Sequence, residues 1–392
     1  MSLSYKTAGE SHGPELVSII EGIPAGLSVS ARDIDRDLAR RQLGHGRGGR
    51  MKIEKDQVII SSGVRNGLTL GSPVGLRIVN ADWRNWTEVM AVEADGKDAT
   101  AEPVTVPRPG HADLPGIQKF GFRDMRNVLE RASARETASR VAVGALARKL
   151  LAEFTVQVFS HVVRIGEAGA AVTPGMTAED LSAADESPVR CLDRGAADDM
   201  VREIDRAREN GESLGGVFEV VALGLVPGLG SSASGPERLG GRIGGALMSI
   251  PAIKGAEIGD GFQLARRPGS QAHDEIFFDP DRGYYRRTNR AGGLEGGMTN
   301  GEILLARACM KPIPTLTRPL RSIDINSGAG VPAHKERSDV CAVPAAAVVG
   351  EAMVAIELAR VMLEKFGGDS LDDMRVSFNA YRERLEASWP RP

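Results

Sequence analysis

Residues 344–366, PAAAVVGEAMVAIELARVMLEKF, predict a helix with proline at its start and Gly367 and Gly368 just past its end. Val348, Val349, Met353, Val354, Ile356, Leu358, Val361, Met362 and Phe366 cover far more of it than one stripe. A helix that is apolar nearly all round cannot rest on a surface; other layers must enclose it. The chain of 392 residues is long enough to supply them, although length alone would also admit two or three domains.

The enclosing layers read as mixed helix and strand. Residues 126–153 contain no proline and many good helix formers, which predicts one long helix. Residues 31–42 predict a shorter one, with the Ser30 hydroxyl accepting from a first-turn amide. QVIISSGV (57–64) and PVGLRIVN (73–80) read as strands joined by a glycine-rich turn, hence antiparallel neighbours. The 47 glycines cluster in turns and bulges or where backbone approaches a ligand, but none forms a Walker loop or a dinucleotide-binding G-x-G-x-x-G. The class is therefore α+β with antiparallel sheets. RPGHAD (108–113) and RPGSQAHD (267–274) echo each other, consistent with an internal duplication.

A net charge of -3 argues against nucleic acid or an anionic membrane as partner. Cys191, Cys309 and Cys341 offer neither a disulfide framework nor zinc spacing, and histidine spacing gives no metal set, so no metal is expected. Reduced cysteines, the lack of a basic-then-apolar leader and the lack of a membrane-length apolar run predict a soluble cytoplasmic protein.

Arginine carries the more specific signal. Arg40, Arg41, Arg47 and Arg50 crowd one glycine-interleaved loop, and Arg337 stands beside Asp339. Arg131 and Arg135 would share one face of the long helix, near Ser133 and Thr137. Each alone suits a solvated ion pair; converging among glycines, they suit a pocket for a small polyanion. His12 and His111 lie in glycine-flanked loops and can move protons near neutrality. Ser11 beside His12 is not a hydrolase signature, because neighbouring residues seldom aim at each other and G-x-S-x-G is absent there.

GESHGPELVSIIEGIP (9–24), ERASARETASRVAVGAL (130–146) and RSDVCAVPAAAVVGEAM (337–353) resemble the three motifs of the chorismate synthase family. RPGHAD, NRAGGLEGGMTNG (289–301) and MKPIPT (310–315) resemble further segments in the same order, so the resemblance spans essentially the whole chain. It implies one catalytic domain over 1–392, a layered β-α-β sandwich with long helices between antiparallel sheets, and a homotetramer. It implies a lyase that converts 5-enolpyruvylshikimate 3-phosphate to chorismate in the shikimate pathway toward aromatic amino acids. Reduced FMN is implied as cofactor without net redox change, with NADPH or a separate flavin reductase as its source of electrons.

Matched to the family position by position, His12 falls near the departing phosphate and His111 at the histidine that manages protonation of the reduced flavin. Asp339 matches the aspartate that works with the flavin in accepting the ring proton, and Ser11 and Ser133 accompany these catalytic positions. Arg41, Arg47, Arg135 and Arg337 match anion-binding positions, the first two also meeting NADP in some members. Arg131, Ala132, Ser133, Pro251, Ala252, Gly296, Lys311, Pro312, Ile313, Pro314 and Thr315 match flavin contacts. Pro251 departs from the family, where an amide side chain is common. Two other readings stay open: a flavin reductase using the same pocket, and a Gly/Arg-rich scaffold for RNA, for which 4% aromatic residues give few stacking platforms. His12→Ala and His111→Ala are each expected to lower turnover strongly in folded protein, checked by steady-state rates alongside circular dichroism.

Overall fold

The computed structural model describes residues 3–49, 53–93, 102–171, 175–336 and 338–389. Two antiparallel sheets organise it. In the first, β1 (Ser4–Ala8), β2 (Glu15–Glu21), β3 (Val58–Ser62) and β4 (Val74–Val79) lie in the order β1-β2-β4-β3. The pairing of Val58 with Ile78 bears out the antiparallel strands read from 57–64 and 73–80. In the second, β5 (Gln157–Ile165), β6 (Ala168–Gly169), β7 (Gly216–Leu223), β8 (Ile253–Ile258) and β9 (Leu304–Met310) run β8-β9-β7-β5-β6. Helices and antiparallel sheets together make the class α+β.

The helices that matter for the site are α1 (Ala31–Gln42), α2 (Asp113–Phe120), α3 (Arg126–Ala132), α4 (Thr137–Ala152) and α5 (Val343–Phe366). α4 contacts β1, β2 and β4 of the first sheet, α5 contacts β5, β7 and β9 of the second, and α4 and α5 pack on each other. Within α5 only Arg360, Glu364 and Lys365 escape burial, as its all-round apolar pattern requires. Close approach is specified by glycine. A Cβ on Gly144 would sit 2.3 Å from the Ala352 Cβ, and one on Gly350 would sit 2.3 Å from the Phe218 ring. Larger side chains there would push α4 from α5, or α5 from its sheet.

Two local expectations are corrected. The single helix over 126–153 is broken: Ser133 is extended (φ -64, ψ 144) and one 3-10 turn, Ala134–Glu136, precedes α4. Summed propensity misses this because the Ser133 hydroxyl takes up local bonds, accepting from the Arg135 N–H and from the Ser11 hydroxyl. Arg131 and Arg135 consequently do not share a helical face. At α1 Ser30 forms a capping box, with the Asp33 carboxylate reciprocating by accepting from both the N–H and the hydroxyl of Ser30. In the segment 267–274, Asp274 accepts from the amides of Arg290 and Ala291. Among the described residues no helix is long and apolar enough to cross a membrane.

Buried charge in the helical layer centres on Glu351. Glu351 on α5, 1% exposed, receives two hydrogen bonds from Arg40 at 2.7 and 2.9 Å, another from the Ser160 hydroxyl at 2.9 Å, and an ion pair from Arg148 at 2.9 Å. Burial alone would raise its pKa from 4.5, but the charges of Arg148 and Arg40 outweigh burial and hold it at about 2. Its stabilising contribution is therefore complete above the ordinary glutamate value and is lost as pH falls from there toward 2. Glu351→Gln, which removes the buried charge shared by Arg40 and Arg148 but leaves them paired with Asp37 and Asp185, is expected to cost about 1–3 kcal/mol at neutral pH. The variant should also lose part of the acid dependence of stability, checked by urea unfolding between neutrality and pH 3.

Candidate active site

The segments singled out in the sequence meet around a cavity of about 790 Å³. Ser11 and His12 enter from the β1–β2 loop, Arg41 from the last turn of α1, and Arg47 from the glycine-rich loop after it. Ala132, Ser133 and Arg135 come from the break between α3 and α4, and His111 from the loop leading to α2. Pro251 and Ala252 precede β8, while Lys311, Ile313, Pro314 and Thr315 follow β9. Asp339 and the first turns of α5, including Ala342, Ala345, Ala346 and Val349, close the ring.

Three matched positions lie outside the lining. The Arg131 guanidinium donates to the carbonyls of Thr7 and Gly9 at 2.9 and 3.1 Å, so it braces the base of the His12 loop. Gly296 takes φ +60 between the short strands Leu294–Glu295 and Met298–Thr299. Pro312 is passed over between two residues that do line the cavity. Arg50 and Arg337 lie outside the described residues.

Crowded cations dominate the electrostatics. Arg41 and Arg135, each 5% exposed, share Asp56: Arg135 Nη1 donates to Oδ1 at 2.5 Å and Arg41 Nη1 to Oδ2 at 3.5 Å. Burial pushes the Arg41 guanidinium down to about 10, with Asp56 opposing and Arg135 and Arg47 adding to the fall. It remains charged at neutral pH. Arg47 pairs with Asp339 at 2.7 Å, and the same carboxylate accepts the Gly48 N–H at 2.6 Å. Arg135 Nη2, ion-paired at 3.8 Å with Glu54, and Arg126 Nε are buried without a hydrogen-bond partner among the described residues. Buried donors left in this state favour an anion that supplies the missing acceptors.

The histidines are held alike. His12 Nδ1 is 3.0 Å from both Glu130 carboxylate oxygens, and its ring stacks on Trp86 with centroids 3.9 Å apart. His111 Nδ1 lies 2.5 Å from Asp113 Oδ1, and Asp113 also receives Arg108 Nε at 2.8 Å. Burial would raise the Asp113 pKa, but hydrogen bonds from His111 and Arg108 outweigh it and hold the group well below the usual carboxylate range. Opposite, Glu336 is held low by its bond with His334, against burial, with the Arg108 charge assisting.

The sequence model described as chorismate synthase matches residues 3–363. A chorismate synthase of Symbiobacterium thermophilum is 57% identical over 388 residues, covering 98% of this chain and 99% of its own. One from Desulforudis audaxviator is 57% identical over 389 residues, covering 98% and 99%. This chain belongs to the chorismate synthase family. A solved structure titled "Crystal Structure of Chorismate Synthase" superposes with a TM-score of 0.80 at 43% identity, covering 99% of each chain.

Beside the positions matched to the chorismate synthase motifs, the cavity and its backing contain residues that sequence reading missed. Arg108 and Asp113 open and close RPGHAD, where the sequence reading weighed the aspartate only as a metal partner of the histidine, although an Arg-to-Asp pair across a tight loop is a recognisable ion-pair spacing. Trp86 is one of only three tryptophans, a rarity that could have marked it. Arg126 and Glu130 lie four apart on α3 and could have been read as a pair facing the serine break. Asp56 and His334 carry no local signal. Inorganic phosphate at millimolar concentration is expected to raise the thermal unfolding midpoint of the wild type, and to raise that of Arg135→Ala by much less. Calorimetric scans with and without phosphate check this.

Proposed function

We propose that the chain converts 5-enolpyruvylshikimate 3-phosphate to chorismate and inorganic phosphate by a 1,4-elimination, the reaction of the family to which it belongs. The observation that carries this reading is the meeting of Arg41, Arg47 and Arg135 with His12, His111 and Asp339 in one cavity. A substrate with one phosphate and two carboxylates needs concentrated cations, and a departing phosphate needs a donor of hydrogen bonds or protons. Arg41 and Arg135 are fixed for the first task through Asp56, and Arg47 through Asp339.

The lining also fits reduced FMN. Ala342, Ala345, Ala346, Val349, Ile250 and Met310 offer small and apolar surface suited to a flat ring system, while the cations suit its phosphate. Ala252, held at φ +69 in a region that favours glycine, turns the 251–252 backbone at this wall. That geometry supports a backbone rather than a side-chain contact and makes Pro251 compatible with the cofactor. Bound reduced flavin supplies electron density to the allylic carbon–oxygen bond without net redox change. Ala132, Ser133, Pro251, Ala252 and the Lys311–Thr315 run would hold it, with Arg131, Gly296, Pro312 and Arg337 assigned beside them by family motif.

His12 then donates to the leaving phosphate, His111 serves protonation of the reduced cofactor, and Asp339 assists removal of the ring proton. Ser11 and Ser133, bonded at 3.0 Å, link the His12 loop to the helix break. We also assign the whole chain to one catalytic unit, a β-α-β sandwich with a duplicated architecture, acting in the cytoplasm as a homotetramer. Its flavin is reduced with NADPH at Arg41 and Arg47 or by a separate reductase.

The test is an anaerobic assay with 5-enolpyruvylshikimate 3-phosphate and prereduced FMN, following phosphate and chorismate absorbance. Equal release of both products without continuing consumption of reductant is expected. Steady reductant consumption without chorismate would instead make the protein a flavin reductase.

A further inference from the structure

We infer that Glu130 is a positioning residue for His12: it fixes the imidazole in its Nδ1–H form and thereby turns Nε2 toward the reaction cavity. The inference rests on the functional reading above only for the step that Nε2 serves. Glu130 is 2% exposed, on α3. Its carboxylate oxygens both lie 3.0 Å from His12 Nδ1, and Oε2 also accepts the His12 backbone N–H at 2.8 Å. Its own carbonyl accepts the Ser11 N–H at 3.0 Å. The loop is thus clamped to α3 at three points by one residue. A carboxylate only accepts hydrogen bonds, so Nδ1 carries the hydrogen.

The ring has little freedom to turn away. Trp86 stacks on it with an interplanar angle of 21°, and the Trp86 indole N–H is itself held by buried Asp82 at 3.3 Å. The Arg126 guanidinium lies 5.5 Å from the Trp86 ring centre and 3.8 Å from Glu130 Oε1, so a cation balances the carboxylate without displacing it from Nδ1. His12 Nε2 has no hydrogen-bond partner among the described residues, and His12 lines the cavity. During elimination the electron pair of the breaking carbon–oxygen bond passes to the phosphate oxygen. The proton on Nε2 of the imidazolium passes to that oxygen, leaving neutral imidazole with its hydrogen on Nδ1, still donated to Glu130. In the opposite tautomer Nε2 would already carry the hydrogen of the neutral ring, and the proton given up would be the one facing Glu130.

The test uses full-length protein labelled with nitrogen-15 histidine, His12 being assigned from the resonances lost in His12→Ala. In the wild type, neutral His12 is expected to show a protonated Nδ1 and a bare Nε2. Glu130→Gln can accept from or donate to Nδ1, so a mixture or inversion of tautomers is expected. With it, kcat should fall about tenfold or more while KM stays within about threefold. Glu130→Asp should restore the Nδ1–H form and part of kcat. An Nε2–H tautomer in the wild type overturns the inference, as does a folded Glu130→Gln protein with unchanged tautomer and unchanged kcat. Should Glu130→Gln not fold, the wild-type spectrum alone decides between the two. The spectra need no substrate, so a tautomer shift in a protein that forms no chorismate upholds the positioning and removes the assigned reaction instead.

Discussion

Two buried guanidinium groups sharing one carboxylate set the terms for the rest of this structure. Arg41 and Arg135 repel each other, and Asp56 between them relieves that repulsion without cancelling it. Arg47 and Arg108 each take an acid of their own, Asp339 and Asp113. All four guanidinium groups line the cavity while Asp56 and Asp113 do not, so charge at the lining is weighted toward the positive, where low dielectric strengthens it. Such an arrangement is stable only in a frame that resists the tendency of the cations to separate.

The frame is the helical layer. α4 and α5 approach closely because Gly144 faces Ala352, and α5 approaches its sheet because Gly350 faces Phe218. The first turns of α5 then offer small side chains to the cavity, giving it apolar surface beside the cations. Glu351 anchors the middle of α5 to Arg40 and Arg148. Since Arg40 and Arg41 are neighbours on α1, the buried ion cluster and the anion site are tied to the same helix end. A shift in one is felt in the other.

The helix break at Ser133 is the joint between frame and site. A continuous helix would have carried Arg131 and Arg135 along one face. With the chain extended at Ser133, α3 instead brings Glu130 under His12, Arg131 reaches the base of the same loop, and Arg135 turns to Asp56 and Asn80. The flanking glycines seen in GESHGP acquire a reason here: a Cβ on Gly9, which has φ +107, would lie 2.4 Å from the Glu15 carbonyl.

The sequence by itself determined what depends on local pattern: the enclosed character of 344–366, the antiparallel pair read at 57–64 and 73–80, and the residue types that gather in the cavity. Those features are written in periodicity, in glycine and in motif order, which survive without knowledge of neighbours. Only the tertiary structure decided which arginine faces which acid, where the helix breaks, and that Asp56, Trp86, Arg126 and Glu130 belong to the site. These are choices among partners distant in the chain, 79 residues apart for Arg135 and Asp56 and 118 for His12 and Glu130, made by burial and charge once the layers close. A hydroxyl, carboxylate or guanidinium has the same local sequence signal whether it meets water or a buried counter-charge.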